Sequence, residues 1–123
     1  MILKRLLLLL ILSPFIASPL SADEDFISHY EYGQMLYTYP RGVSCVECHG
    51  EAGEGKVIAE FRDIHGKEQI IGPDIRGKRL DEMILAMNSY HDIMPRYYLT
   101  DEEIKAIYDF LKEKSKRMNV RRK

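Results

Sequence analysis

The chain has 123 residues, which allows one domain. Its 18 Lys and Arg against 19 Asp and Glu give a formal net charge of −1. Such a balance argues against a general nucleic-acid binder, which calls for a basic face.

The first element in chain order is an export signal. Lys4 and Arg5 make a positive start, Leu6 to Leu12 an unbroken apolar core, and Pro14, Ser18 and Pro19 break the pattern before the small residue Ala22. This is the grammar of a secretory signal peptide over residues 1–22. Its core is short of the ~20 residues a membrane span needs. Cleavage leaves no transmembrane segment; the alternative is an uncleaved anchor, because Phe15, Ile16 and Leu20 prolong the apolar stretch. The part that remains is small enough to need a staple, metal or cofactor beside its core.

Removing the signal sharpens the charge pattern. Residues 23–111 carry 9 bases and 18 acids; residues 112–123 carry seven bases against Glu113 alone. The chain therefore reads as an acidic body, 23–111, with a basic C-terminal tail, 112–123. A frayed, solvated terminus is the plainer reading of the tail. An electrostatic contact with an anionic membrane or partner is the sharper one.

A first helix is expected over 23–37. Asp23, Glu24 and Asp25 suit the positive end of its dipole, and Phe26, Tyr30, Gly33 and Tyr37 share one face. Gly33 on that face lets another helix come close. "TYPRG" (38–42) breaks the pattern into a loop. Further on, "KVIAEFRDI" and "KEQII" flank "HG" and predict a short β-hairpin at about 56–71. Leu80, Met83, Ile84 and Met87 space a short helix over 79–89. The last helix starts at a capping box of Thr100 and Glu103, with Ile104, Ile107, Tyr108 and Leu111 as its apolar face and Phe110 at the margin.

Cys45, Cys48 and His49, in "SCVECHG", carry the chemistry. Three readings compete. A disulfide suits the compartment, but a thioredoxin-like site needs βαβ units that the sequence does not show. Zinc needs four ligands; His49 is adjacent to Cys48, and His29, His65 and His91 stand alone. Covalent haem uses the whole motif. Two thiols with two residues between them reach the two vinyl groups of a porphyrin and become thioethers, and the histidine that follows turns a ring nitrogen to the iron. This reading takes the motif best.

The iron's other axial position decides between an electron carrier and a ligand binder or catalyst. Met83 and Met87 lie on a helix face and read as core packing. His29 and His65 read as surface residues, while His91 is close enough to compete. Met94 is different: it lies in a loop without helical pattern, stiffened by Pro95 and ending at the capped last helix. A thioether there is a soft ligand that raises the reduction potential.

From Gly33 to Leu111 the chain resembles the class I monohaem cytochromes c, in particular the small bacterial periplasmic ones. The resemblance rests on "CVECHG", "GPDIRG" (72–77), "MPRYYLTDEEI" (94–104) and "IKAIYDFL" in order. It implies an all-α fold of three to five helices wrapped around one covalent haem, with the hairpin as an addition. It implies thioether links at Cys45 and Cys48, iron ligation by His49 and Met94, and a carbonyl of Pro73 that accepts from the second ring nitrogen of His49. It also implies that Gly33 and Phe110 mark a crossing of the first and last helices.

The function implied is non-enzymatic: one-electron transfer in the periplasm, with protein redox partners, a donor and an acceptor, docking at the haem edge. The alternatives are a haem subunit of a larger respiratory complex, and a haem enzyme or sensor with a displaceable sixth ligand. Two departures stand out. Cys45 follows Tyr37 by eight positions, so the loop before the motif is long, and no tryptophan is present to bond a haem propionate. Arg76, Arg79, Tyr97 and Tyr98 are the candidates for that bond.

Overall fold

The computed structural model describes residues 26–122. The expected signal segment 1–22 and the acids Asp23 to Asp25 lie outside the described residues. Among the described residues no helix is long and apolar enough to cross a membrane.

Among the described residues, four helices and one hairpin follow one another. They are α1 (His29–Thr38), α2 (Val46–His49), β1 (Lys56–Asp63), β2 (Gly66–Gly72), α3 (Leu80–Asn88) and α4 (Asp101–Arg121). The fold is mostly helical with a short antiparallel hairpin, as the sequence leads one to expect.

Helix α1 starts later than the acidic run suggests. Ser28 is its N-cap: the hydroxyl accepts from the Glu31 amide, and the Glu31 carboxylate accepts from the Ser28 amide. This reciprocal pair fixes where the helix begins. Phe26 thus precedes the helix and is fully exposed, contrary to its expected place on the buried face. The buried residues of α1 are Gly33, Leu36 and Tyr37.

Helix α4 crosses α1 at Gly33. A methyl group at Gly33 would fall 2.1 Å from the Ala106 carbonyl oxygen and 2.8 Å from the Phe110 Cβ. Only glycine lets the two backbones approach so closely. Phe110 is at the centre of the core rather than at its margin. It is 1% exposed, with Tyr30 and Tyr37 rings 5.2 and 5.6 Å from its own. Leu36, Met83, Ile104, Ile107 and Leu111 complete that core.

The predicted capping box begins α4: Thr100 and Glu103 each accept from the other's amide. The helix then continues through the basic segment to Arg121 instead of fraying at 112. Contacts with the body hold the extension. The Lys112 ammonium donates to the Arg76 carbonyl and lies 5.0 Å from the Tyr108 ring, and Lys114 pairs with Glu51. The Arg117 guanidinium lies 4.4 Å from the Tyr30 ring centre. Long basic side chains cover aromatic surface in this way while their heads stay in water.

The hairpin pairs Lys56 with Gly72 and Asp63 with Gly66, with a bulge between Val57 and Ala59. The bulge interrupts the alternation of side chains along β1.

Candidate functional site

The "SCVECHG" segment folds into one turn of helix. Cys45 is its N-cap, and its carbonyl accepts from the amides of Cys48 and His49. Gly50 ends the turn with φ +79°. Positions three and four apart on such a turn are neighbours, so Cys45, Cys48 and His49 fall on one side. Tyr37 ties the turn to α1: its phenol donates to the Gly50 carbonyl at 2.7 Å. Burial, with the nearby Cys45, Glu54 and Glu51, pushes that phenol above its ordinary pKa.

The hairpin's return strand delivers the next component. Gly72 packs flat on the turn; a methyl group there would fall 1.7 Å from the Cys48 carbonyl oxygen. The following carbonyl, that of Pro73, then lies 2.9 Å from His49 Nδ1. His49 is 9% exposed, so its ring is fixed by packing and by this bond together. With Nδ1 donating to a carbonyl, Nε2 is left as the free lone pair, the form in which imidazole binds a metal. Beside it, hydrogen bonds from Arg76 hold the Asp74 carboxyl down at about 2.

These residues open onto one cavity of about 520 Å³. Cys45, Cys48 and His49 line it on the side of α2. Ile58, Ile70 and Ile71 of the hairpin, Ile75, Met83 and Met87 form further apolar wall. Met94 lies on the wall as well, half-buried in the segment between α3 and α4. The structure thus brings Cys45, Cys48, His49, Pro73 and Met94 together on the wall of one space.

Met83 and Met87 pack as the helical spacing predicts, and they also face the cavity. Among the histidines, His91 shares the cavity wall, with Nε2 2.8 Å from the Ala86 carbonyl. His65 is exposed at the hairpin turn, and His29 lies 2.9 Å from Asp109 on α4.

The chemistry of the wall separates the three readings of the motif. Both cysteines are free, and among the described residues no group of three or more His, Cys, Asp or Glu side chains is placed to hold a metal ion. Zinc would lack its remaining ligands. Burial pushes the Cys45 thiol up to about 11, far from the low values of a redox-active dithiol. A large, largely apolar cavity with two thiols, one oriented imidazole and a thioether on its walls fits a porphyrin.

A family model for cytochrome c matches residues 30–115. The chain belongs to the cytochrome c family. Comparisons with curated proteins and with solved structures give no match. Membership means a covalently bound haem c as the cofactor and haem-based electron transfer as the family chemistry. The cavity between α2, the hairpin and the Met94 segment is the space that fits this cofactor.

Two contacts around that space were not foreseen from the sequence. The Tyr97 phenol, a candidate for a haem propionate, instead donates to the Val43 carbonyl at 2.6 Å. Burial pushes it up to about 12. Arg41 forks onto Glu103, with both nitrogen–oxygen distances 2.9 Å. Of the other propionate candidates, Arg76 pairs with Asp74 and Arg79 with Asp81, while Tyr98 points its ring to solvent. Lys78 is a cation on the cavity wall that the sequence reading passed over.

Proposed function

We propose that the protein is an exported, periplasmic carrier of single electrons, with Cys45 and Cys48 as the thioether links of its haem and with His49 and Met94 as the two axial ligands. One observation carries this reading. His49, with its Nδ1 engaged by Pro73, shares a single apolar cavity with Met94 and both cysteines. Haem c, once attached, supplies reversible exchange of one electron at iron.

The chain's own residues supply the rest. Pro73 holds the imidazole in one tautomer through the redox cycle. The isoleucines and methionines of the wall exclude water, so little solvent reorganises when the charge changes. Met94 contributes a soft sulfur donor that favours the reduced state. With His49 and Met94 both holding the iron, no coordination site would be left for a substrate, which supports a carrier over an enzyme. The N-terminal sequence supports export, and a haem held in this largely apolar cavity would exchange electrons with donor and acceptor proteins that dock briefly against it.

The mass of the mature protein tests the reading. The expected mass is that of a chain without its first ~22 residues plus one haem, and Cys48→Ala should leave the haem on a single thioether. A mature protein without added haem, or one in which replacing both cysteines leaves the haem covalently attached, would contradict it.

A further inference from the structure

We propose that the loop between α1 and α2 acts as a clamp on the segment that carries Met94, with Arg41 and Tyr97 as its two fasteners. The inference rests on Met94 being an iron ligand and goes beyond it: it names what holds that ligand in place.

The segment 89–99 has no regular hydrogen bonding of its own. It nevertheless has to present Met94 at one point on the cavity wall. Two contacts from the α1–α2 loop fix it just after Met94. The Tyr97 phenol donates to the Val43 carbonyl, and the Tyr97 ring edge lies 3.4 Å from where a Gly42 side chain would begin. The Arg41 guanidinium donates to the Tyr98 carbonyl at 3.1 Å while its fork holds Glu103. Glu103 in turn accepts from the Thr100 amide, so one carboxylate joins the loop to the cap of α4. The far side of the clamp is anchored too: Pro40 is fully buried, and the Cys45 amide donates to the Tyr37 carbonyl.

The backbone marks Arg41 out. It is the non-glycine residue with positive φ among the described residues, at 61°. An arginine in the left-handed region costs conformational energy that glycine would avoid. The strain is offset by the contacts of the Arg41 side chain with Glu103 and the Tyr98 carbonyl.

A clamp sets how often Met94 leaves the iron. An added ligand such as imidazole binds only when the thioether is off, so its apparent affinity scales with the fraction of open protein. Imidazole titration of the ferric holoprotein therefore reads the clamp. Tyr97→Phe and Arg41→Gln should each tighten imidazole binding roughly fivefold to tenfold, the scale of one lost charge-assisted or buried hydrogen bond. Arg41→Lys should recover part of the effect, because an ammonium keeps the charge but not the fork. Arg41→Gly relieves the backbone while removing the side chain. It should tighten imidazole binding as much as Arg41→Gln does, with a smaller loss in thermal midpoint, a combination that a general weakening of the fold would not give. Tyr98→Ala leaves the carbonyl in place and should behave as wild type.

The weak far-red absorption of ferric thioether-ligated haem is recorded alongside. Its absence from the wild type would overturn the Met94 assignment and the clamp with it. Its presence, with imidazole affinities of Tyr97→Phe and Arg41→Gly within twofold of wild type, would overturn the clamp and leave Met94 as a ligand. A lower thermal midpoint with unchanged imidazole affinity would make the two contacts merely structural and would equally overturn it.

Discussion

His49 is held by a carbonyl, and this choice of partner has consequences. The Pro73 oxygen 2.9 Å from Nδ1 cannot take up a proton, so the bond persists wherever the fold does. The residues that make this site chemically legible are contiguous: Cys45, Cys48 and His49 fit on one helical turn, and the order of groups in the sequence is their order in space. The place of Met94 on the cavity wall was legible for the opposite reason: it is a methionine with no helical face to pack. Arg41 and Tyr97 were not legible. Their partners lie 62 and 54 positions away, and nothing local in "YPRGV" or "PRYYL" announces a hydrogen bond across that distance. At this scale the turn's anchor is open to test. Tyr37→Phe removes a buried donor from the Gly50 carbonyl and should cost about 1–2 kcal/mol in denaturant unfolding of the holoprotein.

Between elements, the crossing of α1 and α4 is set by one missing side chain. Gly33→Ala would drive a methyl group into the Ala106 backbone, and the helices must part to admit it. A destabilisation of about 3 kcal/mol is expected, read from the denaturation midpoint. Both helix starts were of the kind a sequence declares, because a capping box is a local pattern. The box of α4 stands out in the sequence as Thr100 and Glu103. That of α1 was obscured by the acids at 23–25, which drew the predicted start upstream of Ser28. The length of α4 was hidden as well. Seven bases in twelve residues read as a solvated tail until their aromatic and carbonyl partners on the body are seen.

The cap of α4 also has a pH signature. Hydrogen bonds from Arg41 and then from the Thr100 amide hold the Glu103 carboxyl down at about 2, below its ordinary 4.5. A depressed carboxylate adds stability that is complete above the unfolded value and is lost as the pH falls toward the folded one. Acid unfolding should therefore steepen between about pH 4.5 and 2. In Glu103→Gln that part of the pH dependence should flatten.

For the molecule as a whole, the core and the haem site are one object. Met83 belongs to the packed core and to the cavity wall at once, and Cys45 does too. A cofactor bound in that cavity adds its own binding energy to the stability of a body this small. The acidic balance of residues 23–111 adds a long-range property. Transfer to a partner with a basic docking face should slow as ionic strength rises, because steering by charge is screened by salt. Stopped-flow rates across a salt series read this directly, and rates independent of salt would remove charge from the docking step. The central claim is that His49 and Met94 together hold the iron. The most direct measurement is the reduction potential of the holoprotein and of Met94→Ala. Axial ligands span about 0.8 V of haem potential, so losing the thioether should lower the potential by on the order of 0.1–0.2 V, whether water or His91 takes the position. An unchanged potential, with the far-red absorption unchanged as well, would contradict the account.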